Sequence, residues 1–412
     1  MNFLRRRRNS EDEDDEDDNI ALGNTNSNIH KSRKPPNTAF RQQRLKAWQP
    51  ILTPKSVIPL LFIIAIIFTP LGISILYTTY NVELVSVDYS KCNELATDTF
   101  ASIPSSYTNY HFRSKNTDPE FQWKITNSTD SFGDLAQTCQ IQFSLPVDLN
   151  PPIFLYYKLT NFYQNHRKYV SSYDIQQLRG NAVPAGSITD YCKPLLHLGE
   201  GDDQKLIYPC GLIANSYFND TFSSPVLLNA KNGDNNETYE LTNVGISWAS
   251  DIQHKFATTK YTPDQVVPPP NWYKMFPEGY NETNMPDLHT WELLQNWMRT
   301  AGLPTFYKLY GKNQTEVLTS GTYEISIGLN YPVSIFGGTK SVVITTNSIF
   351  GGRNLSLGII YIIIAIIALV LGVAFLIQHL IKPRRIGDHN FLQGNNNAFA
   401  GSSGVTNFRD QL

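Results

Sequence analysis

The sequence predicts two transmembrane helices plus one large disulfide-bonded, glycosylated, β-rich (α+β) lumenal ectodomain, with disordered cytosolic tails. Three observations carry this prediction. Two long segments are apolar and uncharged, every cysteine lies between them, and the same intervening region shows period-two alternation. The chain has 412 residues, 17% charged and 41% hydrophobic, averages that hide a sharp partition. Residues 57–80 and 355–381 contain no Asp, Glu, Lys or Arg. A helix rising ~1.5 Å per residue needs about 20 apolar residues to cross the hydrocarbon core, so each run is long enough to span.

The first run starts too far into the chain, and is too long, for the apolar core of a cleaved signal peptide, so it reads as an uncleaved signal anchor. Flanking charge sets the orientation. Arg41, Arg44, Lys46 and Lys55 precede the first run, and Glu83 and Asp88 follow it. Lys382, Arg384 and Arg385 follow the second. Both tails are therefore expected in the cytosol. The resulting division is a disordered tail (1–40), a juxtamembrane segment (41–56), a span (57–80), an ectodomain (81–353), a second span (355–381) and a second tail (382–412). The first tail runs RRRR, then EDEDDEDD, then an Asn-rich stretch, a composition that cannot bury enough apolar surface to fold alone.

Between the spans lie 19 basic and 26 acidic residues. A mildly acidic ectodomain offers no basic face to DNA or RNA, so no nucleic-acid partner is expected. Cys92, Cys139, Cys192 and Cys210 all fall in this region. An even count in an oxidising compartment reads as two disulfides, with three connectivities open. No C-x-x-C pair supports zinc. The N-x-S/T sequons at Asn127, Asn219, Asn236, Asn281, Asn313 and Asn354 lie here too. The first five are the expected glycan sites; Asn354 sits too close to the second span.

Residues 323–335 alternate apolar and polar throughout, the pattern of a half-buried strand, and Pro332 places that strand at an edge. Residues 139–147 alternate likewise, and 153–159 reads as a buried strand. Residues 286–300 read as a helix whose stripe is Leu288, Trp291, Leu294 or Gln295, and Met298.

Chemistry-bearing patterns are nearly missing. There is no H-E-x-x-H, no G-x-S-x-G and no His pair at metal-ligand spacing. FGGTKS (336–341) lacks the order of a phosphate loop. His166, Arg167 and Lys168 beside Tyr163 and Tyr169 form an anion-binding group or, as the plainer reading, a surface salt-bridge group. The spans carry no ionisable residue except His379, so the chain has no ion path of its own. They do carry small residues at helical spacing: Ala65, Thr69 and Gly72 in the first, Ala365, Ala368 and Gly372 in the second. Such stripes let a neighbouring backbone come close. With Arg41, Arg44 and Trp48 at the cytosolic membrane surface, they are the candidate partner contacts. No catalytic residue, cofactor or metal is expected.

Several segments together resemble a known family. They are QQRLKAWQPILTP (42–54), NFYQNHRKYVSSYDIQQLRG (161–180), YPCGLIANSYFNDTF (208–222), GISWASDIQHKF (245–256), VPPPNWYKMFPEGY (267–280), WMRTAGLPTFYKLY (297–310), YPVSIFGGTKS (331–341) and GGRN (351–354). In this order they look like the cell division control protein 50 family, the non-catalytic β-subunits of type-IV P-type ATPase phospholipid flippases. The likeness runs from about residue 35 to 392 and is nearest to fungal Golgi and endosomal members. It implies a heterodimer with a ten-span ATPase, which the subunit helps out of the endoplasmic reticulum toward Golgi, endosome or plasma membrane. It also implies support for flipping phosphatidylserine and phosphatidylethanolamine from the exoplasmic to the cytosolic leaflet. The phosphorylated D-K-T-G motif of the pump is not in this chain. The family order implies sequential disulfides, Cys92–Cys139 and Cys192–Cys210. Two other classes share the outline: a two-span ligand-gated or sodium channel subunit, and a membrane-anchored lumenal hydrolase. Channel ectodomains of that kind usually carry many more than four cysteines, and a hydrolase needs a nucleophile–base pair.

Overall fold

The structure, a computed structural model, describes residues 38–40, 42–45, 52–113, 118–129, 135–199, 204–230 and 235–383. The chain divides into two units, 1–56 and 57–412. In the first, a short turn forms in which the Arg44 N–H donates to the Ala39 carbonyl at 2.7 Å.

Two long helices, Pro54–Tyr80 and Ser356–Ile381, are long and apolar enough to cross a membrane. Pro54 opens the first, where its missing N–H leaves no helical bond unmade. The Thr53 N–H donates to Ser56 Oγ at 3.1 Å, and Ser56 Oγ donates to the Thr53 carbonyl at 3.0 Å, closing that end.

Between them lie strands β1 (Leu84–Asp88), β2 (Ala101–Ser102), β3 (Thr108–His111), β4 (Phe121–Thr129), β5 (Leu135–Leu145), β6 (Ile153–Leu159), β7 (His197–Leu198), β8 (Lys205–Ile207), β9 (Thr221–Phe222), β10 (Val226–Leu227), β11 (Glu237–Thr238), β12 (Val266–Val267), β13 (Phe306–Asn313), β14 (Gly321–Gly328) and β15 (Lys340–Thr346). One sheet has the order β13-β6-β15-β1-β3, a second β11-β10-β14-β5-β4-β2 with β9 also on β14, and a small third β12-β8-β7. β1 directly follows the first long helix and pairs with β15, which leads to the second, so both long helices hang from neighbouring strands.

Alternation puts Cys139, Ile141, Phe143 and Leu145 of β5 on one buried face, with Tyr323, Ile325 and Ile327 of β14 beside them. Leu155 and Tyr157 of β6 and Val342 and Ile344 of β15 join the same continuous core from the other large sheet. Each such side chain contributes about 1.5–3 kcal/mol on burial. Disulfide Cys92–Cys139 ties the turn after β1 to β5, and so links the two sheets; Cys192–Cys210 closes a shorter loop. Loops of 47 and 18 residues are worth roughly 4 and 3 kcal/mol by chain entropy.

Three sequence expectations change here. β14 ends at Gly328, and it is flanked by β5 on one side and by β9 and β10 on the other, so it is not an edge. Pro332 lies beyond the sheet, and Ile335 is exposed. The helix expected over 286–300 is confined to Glu292–Met298. Before it, the Asp287 carboxylate accepts from the His289 N–H at 3.1 Å and from Thr290 Oγ1 at 3.1 Å, and makes a turn instead.

Candidate functional site

The two long helices pack on each other through their small residues. Buried positions Ile58, Ala65, Gly72 and Thr79 in the first, and Gly358, Ala365 and Gly372 in the second, recur every seven residues. That is the period of a left-handed helix pair. A Cβ on Gly72 would lie 2.8 Å from Ile362 Cγ1 and 3.2 Å from the Gly358 carbonyl oxygen. One on Gly358 would lie 2.7 Å from Leu76 Cγ and 3.0 Å from the Leu76 nitrogen. At Gly372 the nearest atoms, on Leu61 and Phe62, are 3.5 Å away. Of the stripe residues read from sequence, Ala65, Gly72, Ala365, Ala368 and Gly372 are buried, whereas Thr69 is exposed and donates to its own helix at Ala65 O, 2.7 Å. Gly358 escaped the sequence reading, although its spacing of seven to Ala365 would have found it. The stripes face inward to the chain's own pair. The outer faces carry exposed Leu60, Ile63, Ile66, Ile67 and Ile73 on one helix and Ile363, Ile366, Ile367 and Val370 on the other. Arg44 is exposed in its turn; Arg41 and Trp48 lie outside the described residues.

In the β-rich domain between the two long helices the family-like segments converge on Tyr208–Phe222. The Trp297 indole N–H donates to the Ile213 carbonyl at 2.8 Å, and that of Trp272 to Ala214 at 2.9 Å. The Tyr280 hydroxyl donates to the Tyr208 carbonyl at 2.7 Å, and the Cys210 N–H to Gln177 Oε1 at 3.0 Å. Gly211 has φ +99°, and a Cβ there would meet the Ser172 carbonyl oxygen at 2.1 Å, so only glycine fits. These segments therefore lock one another in place.

At the end of this segment sits a buried charge cluster. Asp220 Oδ2 is 2.7 Å from Lys340 Nζ, with side-chain exposures of 0% and 6%. The same oxygen accepts from the Tyr89 hydroxyl at 3.0 Å, while Oδ1 accepts from the N–H groups of Asn330 and Tyr331, both at 2.6 Å. Lys340 Nζ also donates to the Tyr331 carbonyl at 2.8 Å. Burial, reinforced by Asp220, raises the Tyr89 pKa well above its ordinary value, so its hydroxyl stays protonated as a donor. The lysine of FGGTKS thus turns inward to a carboxylate rather than outward to a phosphate.

Lys308 is a second buried lysine. Its Nζ donates to the carbonyls of Asn296 at 2.8 Å and of Arg299, and so caps the end of helix Glu292–Met298. Burial, then the charges of Arg299 and Lys255, lower its pKa to about 7. His166, Arg167 and Lys168 are exposed, the first just before and the other two at the start of a short helix, Arg167–Val170.

The five expected glycan sites differ in exposure. Asn127, Asn236 and Asn281 are exposed, and each side-chain carbonyl accepts a hydrogen bond. Asn219 is half-buried. Asn313, also an expected glycan site, is the buried last residue of β13, and its Nδ2 donates to the Glu240 carbonyl at 2.9 Å and to Glu316 at 3.1 Å. That nitrogen is the atom a glycan would occupy.

Among the described residues, no group of three or more His, Cys, Asp or Glu could hold a metal ion. What the site offers is a paired-helix surface next to a disulfide-bonded, β-rich domain. A family profile described as LEM3 (ligand-effect modulator 3) family / CDC50 family matches residues 75–385. The chain is 48% identical over 370 residues to the phospholipid-transporting ATPase accessory subunit CRF1 of Saccharomyces cerevisiae, covering 90% of this chain and 91% of that protein. It is 44% identical over 384 residues to the accessory subunit CDC50 of Chaetomium thermophilum, covering 90% and 94%. To cell cycle control protein 50A of Bos taurus it is 38% identical over 359 residues, covering 84% and 89%. By the extent of these matches, this chain belongs to the LEM3/CDC50 family.

Proposed function

We propose that this chain is the non-catalytic accessory (β) subunit of a phospholipid-translocating type-IV P-type ATPase, with which it forms a heterodimer. The observation that carries the reading is the match along 90% of the chain to proteins named as accessory subunits of phospholipid-transporting ATPases. The paired helices supply an apolar outer surface for the pump's own spans, and the ectodomain covers its exoplasmic loops. Arg41, Arg44 and Trp48 add a contact at the cytosolic face. Both termini lie in the cytosol, and the subunit travels with its pump from endoplasmic reticulum to Golgi and endosome or plasma membrane. There it supports transfer of phosphatidylserine and phosphatidylethanolamine to the cytosolic leaflet. A pump whose outer helices lack this partner presents unfilled grooves to lipid, a surface that quality control retains.

Deleting the subunit is therefore expected to hold the ATPase in the endoplasmic reticulum and to expose phosphatidylserine on the outer leaflet. Fluorescence of a tagged pump and annexin labelling of intact cells are the measurements. Normal pump traffic with a full flipping rate in the deletion would refute the reading.

The ectodomain carries N-glycans at Asn127, Asn219, Asn236 and Asn281. A glycan at Asn313 has to be attached before β13 closes onto Glu240 and Glu316, so occupancy there is expected to be the lowest of the five. Glycopeptide mapping measures this, and a chain with no glycan at any site would overturn the assigned topology as well.

A further inference from the structure

A cleft of about 610 Å³ opens where the ectodomain meets the two long helices. Its walls include Asn81, Glu83, Arg113, Asp148, Thr346 and Asn347. Asn81 is the residue after helix Pro54–Tyr80, and Asn347 follows β15 on the way to the helix that begins at Ser356. The uncharged run 57–80 spans ~36 Å as a helix, against ~30 Å for the hydrocarbon core, so its end lies in the head-group layer. Exposed Tyr77 and Tyr80 mark that depth as an interfacial aromatic belt does. The Tyr80 carbonyl is 2.9 Å from His111 Nε2, which fastens the helix end to β3.

The cleft's chemistry is mixed: one guanidinium and two carboxylates, with amide side chains between. Glu83 is held by its backbone, whose N–H donates to Thr346 Oγ1 at 2.9 Å and whose carbonyl accepts from the Thr346 N–H at 3.0 Å. Burial raises its pKa, opposed by the backbone N–H and the charge of Arg113. Among the described residues no aromatic side chain lines the cleft, which disfavours a quaternary ammonium, a group held by aromatic faces. Carboxylate and amide oxygens instead suit the hydrogen bonds of a primary ammonium.

Immediately after the cleft-lining Asn347 the chain forms an apolar tip. Ser348 and Gly351 exchange backbone hydrogen bonds at 2.9 and 3.0 Å, and Ser348 Oγ donates to the Gly351 carbonyl at 2.8 Å. The turn so fixed throws out Ile349, 93% exposed, and Phe350, 50% exposed. Six residues from Phe350 to Ser356 reach at most ~20 Å, which keeps the tip near the level of the membrane surface. A polar cleft with an apolar tip at one rim is the profile of a phospholipid.

We propose that this cleft binds the head group of a phosphatidylethanolamine-type lipid of the exoplasmic leaflet. Its phosphate rests on Arg113, its ammonium lies between Glu83 and Asp148, and Ile349 and Phe350 sit among the acyl chains. The proposal rests on the membrane-subunit reading above. The test uses the full chain with its ATPase in phosphatidylcholine nanodiscs containing a photoactivatable phosphatidylethanolamine, with cross-links mapped by mass spectrometry. Cross-links are expected around residues 81–83, 113 and 346–350, reduced about tenfold by Arg113→Gln, since a charged hydrogen bond is lost. Glu83→Gln should lower labelling by phosphatidylethanolamine but not by a phosphatidic acid probe. The indole fluorescence gained in Phe350→Trp should be quenched by brominated acyl chains. Labelling unchanged in Arg113→Gln, or fluorescence in Phe350→Trp that bromolipid leaves untouched, overturns the proposal. Full protection by free phosphoethanolamine at the lipid's concentration overturns the lipid as the source. If labelling fails while the ATPase still co-purifies, the cleft is wrong and the accessory role stands. If no ATPase co-purifies, the accessory role falls, and labelling of the chain by itself decides the cleft.

Discussion

Asp220→Ala is expected to destabilise the β-rich domain by about 3–5 kcal/mol, the cost of breaking a buried ion pair from one side. The carboxylate is fully buried and takes four donors: Lys340 Nζ, the Tyr89 hydroxyl and the N–H groups of Asn330 and Tyr331. Alanine leaves an ammonium and two backbone N–H groups without their acceptor at that point, and each buried donor then carries its desolvation cost uncompensated. The damage is not local. Tyr89 follows β1 and Lys340 opens β15 in one large sheet, while Asp220 precedes β9 and Tyr331 follows β14 of the other. The cluster therefore joins the two sheets, as the Cys92–Cys139 bond does. Lys340→Met should cost less, because Asp220 keeps three donors and the methionine fills the space. Trp123, Trp272 and Trp297 are buried, so intrinsic fluorescence during denaturation of the full chain reports the loss. Equal stability of Asp220→Ala and the parent chain would remove the cluster from the fold's essential contacts.

The sequence made the two long apolar helices legible because an uncharged run of more than about 20 residues, the length a bilayer would require, stands out without any tertiary context. It made β6 legible at its full length, since six of its seven residues are β-branched, aromatic or aliphatic and have few other stable arrangements. The run 323–335 misled because side-chain burial outlasts the strand. Tyr331 and Val333 still point into the core, but the N–H groups of Asn330 and Tyr331 bond Asp220 and not a neighbouring strand. The Asp220–Lys340 pair was illegible for a plainer reason. One acid and one lysine some 120 positions apart have no local signature, and each reads as surface until the chain folds. The same holds for Lys308, whose capping role depends on a helix end brought to it by packing. The helix stripes were legible as close-approach faces, but not as to which helix approaches.

Gly72→Leu and Gly358→Leu are expected to part the two spans and cut recovery of the ATPase about tenfold or more, equivalent to ~1.4 kcal/mol or above. Overpacking of a tight interface typically costs about 1–3 kcal/mol, and here the obstructing atoms include backbone, which cannot rotate away. A Cβ at Gly72 meets the Ile362 nitrogen at 3.2 Å, and one at Gly358 meets the Leu76 nitrogen at 3.0 Å. Gly372 has more room, with first contacts at 3.5 Å, so Gly372→Ala should be silent and Gly372→Leu milder than either tight site. The effect on the pump is indirect. Wedging the pair rotates the outer faces, so that Ile63, Ile66 and Ile67 no longer present the surface that a partner's helices would meet. Cysteine cross-linking between the spans in native membranes measures the pairing, and co-purification from the same cells measures the partnership. Substitutions in the acidic run 11–18 serve as the control expected to change neither. If Gly72→Leu left both cross-linking and pump recovery intact, the small-residue seam would not be what shapes the docking surface.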